Sequence, residues 1–231
     1  MYYVMSDLHG EYEKYLDMLE KINFSDDDVL FVLGDVVDRG REPVKLLRDM
    51  SLRPNVYALI GNHEAMALPL LKTLAVEITD KNYNTQITSE AMSALLHWQR
   101  NGGQATLNAF REIDNDTRLD LIEYMEEFSK YETVQVGETL FILVHAGLGN
   151  YSPNKKLREY SLHELTWTRD YSDKIYYGND VRVVVGHTPT SYLSGEAQIL
   201  YKGNSIFIDC GAAYGGRLAC LCLDTMEEFY V

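Results

Sequence analysis

Five short motifs carry residue types able to bind metal ions and move protons: "SDLHG" at 6–10, "GDVVDRG" at 34–40, "GNHE" at 61–64, "HAG" at 145–147 and "GHT" at 186–188. They supply Asp7, His9, Asp35, Asn62, His63, His145 and His187, each directly behind an apolar run. Ligands in open α/β sheets bind beyond the carboxyl ends of strands, so groups at five such junctions can converge in space. Carboxylates and imidazoles crowded together repel or pay desolvation unless divalent cations sit among them. The number of donors suits two ions. A mixed oxygen and nitrogen set favours manganese, with iron and zinc as alternatives, over magnesium or calcium. One such histidine alone is more often a core or surface residue; five junctions in one chain are a far more specific signal.

The elements that must position these groups are legible as apolar blocks. Strands are expected at Tyr2–Met5, Val29–Leu33, Val56–Ile60, Thr139–Val144, Val181–Val185, Ser205–Ile208 and Leu218–Leu223. Most are continuous apolar runs, the pattern of strands covered on both faces. Between the early ones lie helical patterns such as "EYEKYLDMLEKI", with Tyr12, Tyr15, Leu16 and Leu19 on one side. Alternation of strand and helix gives an α/β class. From about Ala65 to Lys130 the strand signal disappears, and "SEAMSALLHWQRNGGQATLNAFREI" and "DTRLDLIEYMEEF" predict helices punctuated by Gly102 and Gly103. The expected organisation is one domain over 1–231 with a helical insertion at approximately 66–130.

Composition narrows the function classes. A hydrophobic share of 46% over 231 residues supports a real core and argues against disorder. With 21 Lys plus Arg against 35 Asp plus Glu, the formal net charge of −14 disfavours a protein that grips nucleic-acid backbone. An acidic surface also repels anions at long range, so any anionic substrate must be held by cations at the site. Cys210, Cys220 and Cys222, odd in number and without CxxC spacing, are expected as reduced core thiols in a cytoplasmic protein. Met1 leads straight into "YYVMSDLHG", so no signal peptide is expected, and no apolar run approaches membrane-spanning length.

The ordered set "DLHG", "GDVVDRG", "GNHE", "HAG" and "GHT" resembles the phosphoprotein phosphatase branch of the calcineurin-like metallophosphoesterases. "HWQRNGG", "TWTRD" and "IDCGAAYGGRLACLCL" are similar to the bacterial and phage members, whereas the eukaryotic "SAPNYC" signature is absent. The resemblance implies two mixed β-sheets in an α/β/β/α sandwich. It implies one metal on Asp7, His9 and Asp35, and another on Asp35, Asn62, His145 and His187, with Asp35 shared. It also implies that Arg39 and Arg169, with Asn62, bind the phosphoryl group, that His63 protonates the leaving oxygen, and that Asp38 orients His63. The activity so implied is hydrolysis of phosphoserine and phosphothreonine in a phosphoprotein or phosphopeptide.

A dinucleoside polyphosphate or nucleotide hydrolase is the nearest rival, although symmetrical tetraphosphatases tend to read "GDLVARG" and "GNHD", without the aspartate found here at Asp38. A catalytically silent scaffold is a weaker rival, because every expected ligand is present. His97 is expected to be structural, His163 has no assigned role, and Arg41 and Arg217 are expected to be solvated or to stabilise loops. Glu11, following "HG" where a cysteine is frequent in the family, adds a carboxylate that could alter the metal preference.

Overall fold

Two five-stranded sheets stack face to face in the computed structural model, which describes residues 1–76 and 88–231. In the first sheet, β1 (Tyr2–Met5), β2 (Val29–Val32) and β3 (Val56–Ala58) run parallel, and the antiparallel strands β9 (Ala219–Cys222) and β10 (Glu228–Tyr230) complete the order β10-β9-β1-β2-β3. In the second, β5 (Thr139–Leu143), β6 (Val181–Val185) and β8 (Ser205–Phe207) are parallel, flanked by antiparallel β4 (Glu132–Val136) and β7 (Leu200–Lys202).

Strand alternation decides which layer each side chain enters. Val4, Phe31 and Leu33 pack with Phe141, Leu143, Val184 and Ile206 in a core between the sheets. Tyr3, Met5 and Val32 point the other way, into a core shared with helices. There α1 (Tyr12–Lys21) buries Tyr15, Met18 and Leu19, and α2 (Pro43–Ser51) buries Val44, Leu46, Leu47 and Met50. Pro43 suits the first helical turn, where its missing N–H has no partner to lose. On the far side of the second sheet, Ile142, Val183 and Phe207 meet Tyr160, Leu165 and Tyr176.

After β3 the described helices are α3 (Asn62–Ala75), α4 (Ser89–Trp98), α5 (Gln104–Arg111) and α6 (Asn115–Glu126). Thr88 caps α4 by accepting from the Ala91 amide, and Asp114 caps α6 by accepting from the Thr117 amide. Among the described residues no strand falls between β3 and β4; part of the expected helical insertion, 77–87, lies outside the described residues. Shorter helices, α7 (Leu162–Thr166) and α8 (Ser191–Ser194), follow β5 and β6.

Three strands carry no matching sequence expectation: β4, β7 and β10. All three are sheet edges. Their faces are wetted, so "ETVQV", "LYK" and "EFY" lack the apolar run that marks a covered strand, and neighbouring strands impose their pairing. The cysteines are free and buried, as their spacing suggested.

Candidate active site

Six polar loops leave the carboxyl ends of the six parallel strands, β1, β2 and β3 in one sheet and β5, β6 and β8 in the other. Five hold the motif residues. The sixth, after β8, holds Asp209, which the motif reading missed although "IDCG" was visible. Asp7, His9, Asp35, Asp38, Asn62, His63, His145 and Asp209 are all buried.

The backbone is bent to aim these side chains. Asp7, His9, Asp35, Asp38, Arg39 and His187 have left-handed φ values of 53°, 43°, 53°, 73°, 66° and 69°, six of the ten such non-glycine residues described. Each costs roughly 1–3 kcal/mol, tolerated where the surroundings over-determine the conformation. Glu64 is one such constraint. Its buried carboxylate accepts the amides of Asp35, Val36 and Gly61 at 2.8 Å and of Val37 at 3.1 Å, tying the "GDVV" turn to the start of α3. Glu64 had no assigned role in the sequence; at the third position of α3 it supplies only the return half of a capping box, and with Gly61 at the N-cap no Ser/Thr-x-x-Glu pattern marks it.

Ligand atoms of His9, Asp35 and His63 lie within 4.8 Å of one another, as do those of Asp35, His145 and His187. Asp35 is common to both groups, with Oδ2 3.6 Å from His9 Nε2 and Oδ1 3.5 Å from His145 Nε2. Asp7 is outside both groups; its Oδ2 accepts the His187 amide at 2.8 Å and the Ser6 hydroxyl.

The hydrogen bonds determine what the rings offer. His9 Nδ1 lies 2.8 Å from the Val37 carbonyl and His145 Nδ1 2.7 Å from the Leu33 carbonyl. A carbonyl only accepts, so both Nδ1 atoms carry the hydrogen and both Nε2 atoms turn a lone pair inward, as in metal-ligating histidines. Asn62 Oδ1 lies 2.9 Å from His145 Nε2, and buried His187 Nε2 has no hydrogen-bond partner among the described residues.

Burial pushes Asp35 and Asp209 well above the usual carboxylate range, with Asp7 reinforcing both, and pushes His9 well below the usual imidazole range, with His63 and Arg39 adding to it. His187 falls to about 2 through burial, then His145 and Arg169. Carboxylates starved of countercharge and inward lone pairs are what divalent cations would satisfy, so the donor set fits a metal centre.

Beside this cluster, His63 Nδ1 and Asp38 Oδ2 are 2.6 Å apart. Burial raises Asp38 to about 7, against the pull of Thr106 and Trp98, and lowers His63 to about 2, with Arg39 and His145 adding to the effect. Half-buried Arg39 donates to His9 Nε2 and lies 4.9 Å from the centre of the exposed Tyr214 ring. Arg169 is further out, exposed in a cleft of about 390 Å3 that includes His163, Trp167 and Asn150. That cleft adjoins the cluster through Trp167, whose ring is 6.2 Å from that of His187. Arg217 donates to the Ala197 carbonyl, the loop-stabilising role expected of it.

Comparison with known proteins places this geometry in a lineage. The family profile described as calcineurin-like phosphoesterase matches residues 2–212. The chain belongs to that family. It is therefore a phosphoesterase, a hydrolase of a family that implies divalent metal ions. Over 226 residues the phosphoesterase is 27% identical to "Serine/threonine-protein phosphatase 2" of Salmonella typhimurium, covering 94% of this chain and 90% of the relative. It is also 32% identical over 102 residues to the symmetrical "Bis(5'-nucleosyl)-tetraphosphatase" of Wigglesworthia glossinidia brevipalpis, covering 43% of this chain and 37% of the relative. A solved structure named as a candidate diadenosine tetraphosphatase overlays with a TM-score of 0.69 at 19% identity, covering 100% of this chain and 92% of the other. That likeness shows the shared fold of two mixed sheets flanked by helices. Among the described residues no helix is long and apolar enough to cross a membrane.

Proposed function

We propose that this phosphoesterase is a dinuclear-metal phosphomonoesterase acting on phosphoserine and phosphothreonine in proteins. One ion would be held by Asp7, His9 and Asp35, the other by Asp35, Asn62, His145 and His187, with manganese the preferred metal. When bound, the ions supply a water of lowered pKa as the nucleophile. Arg39 holds the phosphoryl oxygens, its planar fork matching phosphate, and Arg169 is the second cation for them. His63 turns Nε2 to the site while Nδ1 is held by Asp38. For this step His63 is the imidazolium, its charge offset by the Asp38 carboxylate and the substrate's phosphate. As the phosphorus–oxygen bond to the leaving group breaks, the Nε2 proton would pass to that oxygen, leaving neutral imidazole with Nδ1–H on Asp38 and the leaving group departing as an alcohol.

The His63–Asp38 pair carries the reading. A serine alkoxide is a very poor leaving group and needs a proton as it departs. The phosphate released from a tetraphosphate chain is a far weaker base, its second pKa being near 6, and gains little from an acid. A dedicated acid is thus of most use on alkyl phosphomonoesters.

Dinucleoside polyphosphate hydrolysis is the second reading, favoured by the Trp167–Arg169 cleft, where an aromatic ring and an exposed guanidinium adjoin the cluster. A side-by-side assay tests the choice at one pH, in manganese, at two salt concentrations. The expected outcome is a higher kcat/KM for a phosphoserine peptide than for a dinucleoside tetraphosphate, with the gap widening at low salt, where the net charge of −14 is least screened. Preference for the tetraphosphate at both salts overturns the protein-phosphatase reading.

A further inference from the structure

We propose that Trp98 and Thr106, on the helical segment after β3, are positioning residues for proton donation by His63 and act through Asp38; this rests on the reading of His63 as the acid. Asp38 is fully buried and its carboxylate has three hydrogen-bonding partners. Oδ2 receives the Trp98 indole N–H at 2.8 Å alongside His63 Nδ1, and Oδ1 receives the Thr106 hydroxyl at 2.7 Å. Thr106 Oγ1 in turn accepts the Asp38 amide at 2.8 Å. That second bond directs the hydroxyl proton, because the lone pair facing the amide is occupied and the hydrogen points to Oδ1. One threonine therefore braces both the carboxylate and its left-handed backbone, φ 73°.

Asp38 can rotate only by breaking a buried bond. An aspartate free to rotate would let the His63 ring swing with it, and proton transfer depends on where Nε2 points. The junction between α4 and α5 is shaped around this contact. A Cβ on Gly103 would come within 2.5 Å of Trp98 ring atoms, so only glycine lets the indole lie where it reaches Asp38. Gly102, at φ 101°, gives its carbonyl to the Arg39 amide at 3.0 Å, so the same junction steadies the next residue along, the phosphate clamp. Trp98, Gly102 and Thr106 thus act on the chemistry through Asp38 and Arg39.

Trp98→Phe keeps most of the ring and removes only the N–H; Thr106→Val keeps the shape and removes the hydroxyl; Thr106→Ser returns it. Each variant, with His63→Asn in parallel, is assayed in saturating manganese on an alkyl phosphate, phenyl phosphate and p-nitrophenyl phosphate. Partners one shell out typically cost 10–100-fold, so kcat for the alkyl phosphate should fall by roughly that in Trp98→Phe and Thr106→Val, but by no more than about threefold for p-nitrophenyl phosphate. KM and bound-metal content should stay unchanged, and Thr106→Ser should restore the alkyl activity. A loss equal across the three leaving groups, or no loss, overturns the inference. If His63→Asn itself is insensitive to the leaving group, the acid reading falls and takes the inference with it. If His63→Asn is sensitive and both other variants are not, only the inference falls. None of these small substrates depends on the native substrate being a protein.

Discussion

Asp38 and Asp170 each lie 2.6 Å from a nitrogen partner, His63 in one case and Lys174 in the other, yet their acidities move in opposite directions. Asp38 is 0% exposed, and loss of water pushes its carboxyl up to about 7 in spite of three hydrogen-bonding partners. Asp170 is 30% exposed, and the Lys174 ammonium with the Ser172 hydroxyl holds it well below the usual carboxylate range. Equal contact distances thus say little about energy. Solvation determines the sign, and the buried end of the sheets is held together by geometry where the surface loop is held by charge.

The largest effect should come from the most heavily shared buried carboxylate. Asp35→Asn replaces the carboxylate common to both metal groups, whose two oxygens face His9 and His145, by a neutral amide with a single oxygen donor. Its loss of activity in manganese should exceed that of Asp7→Asn, and bound manganese measured after gel filtration should fall further. Chelator-treated wild type should be inactive and regain more activity with manganese than with magnesium, since imidazole donors suit the former. Full turnover after confirmed metal removal would sink the two-metal proposal.

Next comes Asp38→Asn, where function and stability should part. On the proposed role of His63 as the acid, the variant removes its orienting anion, so kcat for alkyl phosphates should drop by about 10²–10⁴-fold, the usual worth of general acid catalysis. Stability should not follow. A carboxyl whose folded pKa is raised to about 7 opposes folding once the pH exceeds its unfolded value, so removing the charge relieves that penalty. The metal-free variant should melt no lower than metal-free wild type at pH 8; a clearly lower melting temperature would show the Asp38 contacts to be net stabilising.

Asp170→Asn should give the smallest effect and the opposite sign. Its folded pKa is depressed, so its contribution is fully present above the unfolded pKa and fades as pH falls through that value towards the folded one. An ion pair this open to water is worth about 0–1 kcal/mol. The variant should therefore lose no more than that at pH 7, and the difference from wild type should shrink below about pH 4, the ordinary aspartate range. Denaturant melts at pH 7 and pH 3.5 check it, with a difference that grows on acidification being the contrary result.

Much of this molecule was legible in its sequence. The covered strands announce themselves as apolar runs because both faces must be dry, and the motif loops behind them contain residue types too costly to cluster without metal. Asp7, His9, Asp35, Asn62, His63, His145 and His187 could all be named in that way. What tertiary structure alone decided lies where a residue's role comes from a partner distant in the chain. The edge strands β4, β7 and β10 take their pairing from neighbours and carry no run of their own. Asp209 needed the sixth parallel strand to bring it beside Asp7, and Glu64 needed the "GDVV" turn to supply its amides. Trp98 and Thr106, 60 and 68 residues beyond Asp38, became its partners only when α4 packed against α3 and α5 against α2. Residue type and spacing state which groups can do chemistry; packing of distant segments sets which way those groups point, since burial removes the water that would otherwise satisfy them.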